Sequence, residues 1–247
     1  MATKKENIAK IDIEEMAKAG VHFGHRSSNM NPKMKPYIAG IRNTINVFDL
    51  EKTIEKMQEA LQFLNKLVAE GKTVLFVGTK VQVKYIVREV AEQCAFPYVN
   101  ERWLGGTFTN FTGITKRLDY FKDLERKRAA GELEKYTKKE RLEIDKELKR
   151  LEIKFGGIKN MTKLPDAIFI CDMKKDEIAV REANQTGVKI IGIADANVDP
   201  GLADFPIPGN DDAASSVRYI LEKVKEIILK AKSEIPSVKQ EVPSEKK

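Results

Sequence analysis

The sequence has few cysteines, histidines and tryptophans, and it has no long apolar run. Its 247 residues include two cysteines, two histidines and one tryptophan. The cysteines, Cys94 and Cys171, are too few for a disulfide framework. No stretch approaches the roughly 20 consecutive apolar residues of a membrane-spanning helix. The first ten residues lack the apolar core of a secretory signal. We therefore expect a cytoplasmic protein without a membrane partner.

Charged residues, in contrast, are abundant. They make up 33% of the chain, above the roughly 25% that is usual for globular domains. Hydrophobic residues make up 42%, which is enough for a buried core. The formal charge of +7 predicts a polyanionic partner but does not identify it.

Short apolar runs alternate with helical patterns along most of the chain. Residues 73–77, 167–171 and 188–193 resemble buried strands, and residues 45–48 are a weaker candidate. The spacing of apolar residues predicts four helices, at residues 50–68, 80–93, 172–186 and 211–232. Asp49 is suited to cap the first of them. This alternation predicts a doubly wound α/β fold, a mainly parallel sheet flanked by helices, of the Rossmann or flavodoxin type.

Residues 114–155 depart from this pattern because they contain no strand candidate. They carry 14 Lys and Arg against 10 Asp and Glu, with apolar residues at steps of three and four. The pattern predicts an inserted, antiparallel, coiled-coil-like helical hairpin. A pair of surface helices lying on the core is the alternative. The α/β domain then comprises residues 11–113 and 156–232, with a flexible segment at 1–10 and a disordered tail at 233–247.

One turn has the position of a phosphate-binding loop. Val77, Gly78, Thr79 and Lys80 lead from a predicted strand into a predicted helix. They lack the spacing of a nucleotide-binding loop, and no G-x-G-x-x-G occurs in the chain. A nucleotide-binding α/β enzyme is therefore kept only as the alternative function.

Carboxylates and a histidine could converge at the carboxyl ends of the strands. His25, Asp195 and Asp212 are candidate ligands for a divalent cation. His22 lies three residues before His25, and hydrogen-bonded structural histidines are the favoured interpretation of the pair. For Asp211 and Asp212, the default role is to begin a helix, where the helix dipole favours acids.

Three loops have a composition that suits RNA. Residues 28–37, 100–111 and 207–212 are rich in Lys, Arg, Asn, Gly, Pro and aromatic residues. Cations can bind phosphates, and aromatic rings can stack on bases. Burial of Trp103, Phe108 and Phe111 in the core is at least as well supported by the sequence as base stacking.

Six motifs in and around these loops occur in the same order as in a known family. They are GVHFGH at 20–25, NPKM at 31–34, VGTK at 77–80, RWLGGT at 102–107 with TNF at 109–111, LPD at 164–166 and IPGNDDA at 207–213. Over roughly residues 8–232 the chain resembles the family of bacterial small ribosomal subunit protein two. Met30 replaces the usual tryptophan of that family, and Ala196 replaces the usual threonine.

The resemblance implies a structural protein without catalysis or a required cofactor. It implies binding to 16S ribosomal RNA between the head and the body of the small subunit, and contact with the large RNA-binding small-subunit protein one. An obligate homo-oligomer is not expected. We select the phosphate contacts by their expected exposure: Arg26, Lys33, Lys35, Arg42, Lys80, Arg102, Lys116 and Arg117.

Overall fold

The computed structural model describes residues 11–234, and the predictions for residues 1–10 and 235–247 lie outside them. The described chain begins with helix α1 (Ile13–Ala19) and a small sheet. That sheet contains β1 (Phe23–Arg26), β2 (Ile38–Arg42) and β3 (Ile45–Phe48), in the order β1-β3-β2. Its strands pair antiparallel. The weak strand candidate at 45–48 is thus a strand, but it does not belong to the parallel sheet.

The centre of the molecule is a five-stranded parallel sheet, which confirms the predicted fold class. Its strands are β4 (Val74–Val77), β5 (Tyr98–Val99), β6 (Ala167–Ile170), β7 (Lys189–Ala194) and β8 (Phe205–Pro208). They are arranged in the order β5-β4-β6-β7-β8. The order reverses between β4 and β6, which makes this the flavodoxin-like arrangement with its topological switch point there.

Helices cover both faces of this sheet. Helices α2 (Leu50–Ala69), α3 (Lys84–Gln93) and α7 (Ala214–Glu234) pack with α1 on one face, against side chains such as Phe76 and Phe169. Helices α4 (Phe111–Ala129), α5 (Lys138–Phe155) and α6 (Glu177–Thr186) pack on the other, against Leu75 and Ile168. Successive strand residues point to opposite faces, so each central strand is apolar on both sides.

The predicted helices all exist, and local hydrogen bonds explain where two of them begin. The side chain of Asp49 accepts a hydrogen bond from the Glu51 N–H, as predicted. Helix α6 begins at Glu177 because the Asp172 carboxylate first accepts N–H groups of Lys174 and Lys175 in a turn. Helix α7 continues through Glu234, so the first two residues of the predicted tail are helical.

The segment predicted as a hairpin forms α4 and α5. Their buried residues follow the predicted steps of three and four: Ile114, Leu118, Phe121 and Leu124 on α4, and Leu148, Leu151 and Phe155 on α5. These side chains are continuous with the core on the α6 face of the sheet. The division into an α/β domain and an inserted hairpin stays a prediction. None of the helices between residues 11 and 234 has the length and apolarity required to span a bilayer.

The turn after α1 is hydrogen-bonded to residues just before α7 and in its first turn. The side-chain amide of Asn210 donates to the Gly20 carbonyl at 3.1 Å, and the Asn210 N–H donates to the Val21 carbonyl. The Ser215 hydroxyl donates to the Ala19 carbonyl at 2.8 Å. The turn after α1 is therefore attached directly to the start of α7.

Candidate functional site

Charged side chains meet at the carboxyl edge of the parallel sheet. Lys80 follows β4, Asp172 follows β6, Asp195 follows β7, and Asp211 and Asp212 follow β8. Parallel strands end at the same edge of a sheet, so residues far apart in sequence are neighbours here. His25 joins them from β1. We call these six residues the charged centre.

Lys80 lies in the middle of the charged centre. Its ammonium lies 2.7 Å from Asp172, 2.7 Å from Asp211 and 2.9 Å from Asp212. The Lys80 side chain is only 15% exposed. Burial lowers the pKa of Lys80, but the three carboxylates more than offset this and raise the pKa above its usual value. The Lys80 ammonium is therefore charged, and its partners are three carboxylates of the protein itself.

His25 is placed between two carboxylates. Its Nδ1 lies 3.0 Å from Asp195 and its Nε2 lies 3.5 Å from Asp212. The His25 backbone N–H also donates to Asp195, at 3.0 Å. Its interaction with the Asp195 carboxylate raises the pKa of His25 to about 9, although partial burial opposes this. The imidazole is therefore protonated at neutral pH.

The structure brings together the three residues predicted to ligate a divalent cation, and Asp211, the neighbour of Asp212, lies with them. One ligand atom from each of His25, Asp195, Asp211 and Asp212 lies within 4.8 Å of the others. The Oδ2 atom of Asp211 is buried without a hydrogen-bond partner, and burial raises the pKa of this carboxyl. The spacing and the donor atoms fit a divalent cation, but the protonated His25 and Lys80 already supply two positive charges. Metal binding would require His25 to lose its proton and the Lys80 ammonium to move, so the metal site stays a prediction.

The turn with the position of a phosphate-binding loop makes internal contacts instead. A methyl group at Gly78 would lie 2.6 Å from Cγ2 of Val87, so this glycine permits α3 to pack closely on β4. The Thr79 hydroxyl donates to Asp176 at 2.8 Å, and the Thr79 N–H lies 3.4 Å from the same carboxylate. Burial raises the pKa of Asp176 to about 6, while its bonds to Thr79 oppose the rise. An internal carboxylate thus occupies donors that a nucleotide phosphate would need.

The loop with the single tryptophan is organised by a residue that the sequence analysis did not select. Glu182 of α6 is buried, and its carboxylate accepts N–H groups of Gly106 at 2.7 Å and Phe108 at 2.8 Å. It also lies 3.4 Å from the indole nitrogen of Trp103. The sequence could have indicated Glu182 by its position, because it lies three residues after Ala179 on the side of α6 that faces the core.

The aromatic rings of that loop belong to the core. Trp103 and Phe108 are buried and meet edge to face, with ring centroids 5.0 Å apart. Phe111 is partly buried against the same core. Core packing, the alternative to base stacking, therefore accounts for these rings.

The predicted phosphate contacts fall into two groups. Six are exposed and form no ion pair within residues 11–234: Arg26, Lys35, Arg42, Arg102, Lys116 and Arg117. The other two are engaged, since Lys33 pairs with Asp199 at 2.6 Å and Lys80 lies in the charged centre. Arg26 and Arg42 both lie opposite Ile45, on the outer face of the small sheet.

Comparisons with known proteins agree on one family. The family model described as Ribosomal protein S2 matches residues 16–231. Small ribosomal subunit protein uS2 of Dictyoglomus thermophilum is 47% identical over 219 residues, which cover 89% of each chain. The protein of the same name from Roseiflexus sp. is 47% identical over 216 residues, 87% of this chain and 82% of that one. The Geotalea uraniireducens protein is 46% identical over 219 residues, 89% of this chain and 86% of that one.

Proposed function

The chain belongs to the ribosomal protein S2 family, and from this premise we propose that it binds 16S ribosomal RNA between the head and the body of the small subunit. It is a small-subunit ribosomal protein that supports translation in the cytoplasmic ribosome. Its role is structural: it holds RNA in place rather than transforming a substrate.

The exposed cations carry this proposal. Six of the eight residues selected from the sequence are exposed and have no acidic partner within the described part of the chain. An exposed cation that is not neutralised by the protein can displace counterions from a phosphate. Such contacts bind the RNA backbone by charge and shape and read little sequence.

The charged centre is the main alternative site, and we infer that it is structural. Its lysine and its histidine are balanced by four carboxylates of the same cluster. Residues of this kind at the edge of a doubly wound sheet often bind a cofactor. Here Lys80 and Thr79, which would meet a nucleotide, contact Asp172 and Asp176.

We further propose that α4 and α5 form an inserted hairpin and that protein partners include the large RNA-binding small-subunit protein one. The net positive charge of residues 114–155 supports an RNA contact for the hairpin. No homo-oligomer is needed for these contacts.

Removal of unpaired cations tests the proposed function. The triple variant R26A/K35A/R42A and wild type are titrated with 16S ribosomal RNA over a range of salt concentrations. Each lost phosphate contact lowers the slope of log K against log salt by about 0.7 to 0.9. We therefore expect a slope that is smaller by about 2 to 3, together with weaker binding at low salt.

The matched control removes the same charge from exposed lysines outside the proposed phosphate contacts. K18A/K66A/K230A changes three cations on α1, α2 and α7, and we expect its slope to equal that of wild type. Equal slopes for both triple variants would overturn the assigned RNA face. Absence of salt-sensitive binding by wild type would overturn RNA binding itself.

A further inference from the structure

Three loops form a continuous surface above the topological switch point. The Lys84 ammonium lies 3.0 Å from Glu101, and the Asn100 amide donates to the Lys84 carbonyl at 3.4 Å, so the loops after β4 and β5 are in contact. The Lys175 ammonium donates to the Thr79 carbonyl at 3.0 Å, which joins the loop after β6 to them. We define the switch-point surface as Val81, Lys84, Tyr85, Arg102 and Lys174.

This surface exposes apolar side chains to an unusual degree. Val81 is 71% exposed and Tyr85 is 68% exposed, the two highest values for large apolar side chains among residues 11–234. They are four residues apart in the chain, on the turn that leads into α3 and on its first turn. Large apolar side chains exposed this close together in the chain are a feature of interaction sites.

The charge around these side chains is positive. Arg102 and Lys174 are exposed and form no ion pair within the described residues. Lys84 shares Glu101, and its ammonium lies 5.1 Å from the centroid of the Tyr85 ring. The other nearby carboxylate, Glu177, is paired with Arg181 at 2.5 Å. The excess of cations makes an acidic partner favourable.

We propose that the switch-point surface binds unpaired RNA nucleotides, with a base stacked on Tyr85 and phosphates at Arg102 and Lys174. An exposed aromatic ring beside cations suits single-stranded RNA because every base has a face that can stack. A duplex presents its backbone and minor groove but keeps its bases stacked on one another, so it would leave Val81 and Tyr85 without a partner. This inference rests on the proposed RNA-binding function and adds the class of RNA and a second contact region.

Substitution of Tyr85 tests the stacking contact. The full chain is titrated by fluorescence anisotropy with a short labelled oligouridylate, a labelled RNA duplex and intact 16S ribosomal RNA. Loss of a base–aromatic stack costs about 1 to 3 kcal/mol, so Y85A should weaken oligouridylate binding by about 5- to 100-fold. Y85F keeps the ring and should bind like wild type. Duplex binding should not change in either variant.

L229A is the control, since Leu229 is also exposed but lies near the C-terminal end of α7, outside the switch-point surface. Equal binding of the oligouridylate by Y85A and wild type would overturn the inference. So would a preference for the duplex, or displacement of RNA by polyglutamate at a lower concentration than by oligouridylate. If R26A/K35A/R42A weakens 16S binding while Y85A has no effect on oligouridylate, the proposed function survives and only this inference fails.

Discussion

At the residue scale, the protonation of His25 follows from its neighbours. Asp195 and Asp212 face opposite nitrogens of one ring, and Asp195 is almost completely buried. An imidazolium is attracted to both carboxylates, whereas a neutral imidazole carries no charge for them to attract. The folded protein therefore stabilises the charged ring, and its stability must depend on pH.

The pH dependence has a defined sign and range. The pKa of His25 is about 9 in the folded protein and about 6.5 when unperturbed. A raised pKa adds stability that is complete below pH 6.5 and is lost as the pH rises through 9. We expect the free energy of unfolding to fall by about 2 to 3 kcal/mol between pH 6.5 and 9.5 because of this residue. Urea titrations at several pH values measure it.

The variant H25Q provides the comparison. The raised pKa of Asp211 also lowers stability as pH increases, so wild type and H25Q should both lose stability. Wild type should lose more, by the amount assigned to His25. Parallel stability curves for the two proteins across this range would contradict the assigned protonation.

The sequence predicted this convergence only in part. His25, Asp195 and Asp212 were selected because strand ends meet at one edge. The sequence did not indicate the central position of Lys80, because that position depends on Asp172, which lies 92 positions further along the chain. Asp172 also accepts hydrogen bonds in a local turn, so its sequence context indicates a turn residue and not a partner of Lys80. Pairings of this length follow from strand order, which short-range patterns do not encode.

At the scale of elements, Glu182 connects α6 to the loop before α4. One buried carboxylate replaces water for backbone N–H groups of Gly106 and Phe108. Without it, these donors remain unsatisfied in the interior, at about 1 to 3 kcal/mol each. We expect E182A to lower the free energy of unfolding by about 2 to 4 kcal/mol, measured by urea denaturation.

Glu177 offers a matched control on the same helix. It is exposed and pairs only with Arg181, so E177A should change stability by less than about 1 kcal/mol. A similar loss in both variants would contradict the assignment of the E182A loss to the anchored loop.

Within the parallel sheet, the strands that the sequence did not reveal are its two edges, β5 and β8. β4, β6 and β7 are central, buried on both faces, and were all predicted from their apolar runs. β5 has only two residues, and β8 contains Pro206 and Pro208. An edge strand pairs on one side only, so it tolerates proline and short length and gives a weak signal. Only the three-dimensional structure therefore locates β5 and β8.

At the scale of the whole molecule, the fold resembles that of many nucleotide-binding proteins. The carboxyl edge of its parallel sheet, however, is occupied by charged side chains of the protein itself. Thr79 and Lys80 already contact carboxylates, so these two donors are not free to bind the phosphates of ATP, GTP or NAD. We expect the melting temperature of the protein to stay constant at saturating concentrations of each nucleotide. Thermal-shift measurements check this.

A buffer of equal ionic strength controls for general salt effects. A saturable rise in melting temperature with one nucleotide would favour the α/β enzyme over a structural protein, since a ligand that binds only the folded state stabilises it. The same experiment with K80A shows whether any such rise depends on the turn.

The attachment of the first described elements to the start of α7 also sets an order of events during synthesis. Gly20 and Ala19 are bonded to Asn210 and Ser215, 190 and 196 positions away. Contacts of such long sequence separation form late because a long loop must close first. As the chain emerges from a translating ribosome, its N-terminal segment must wait for nearly the whole protein before these contacts can form. The attachment of α1 and of the turn that follows it is therefore completed among the last parts of the fold.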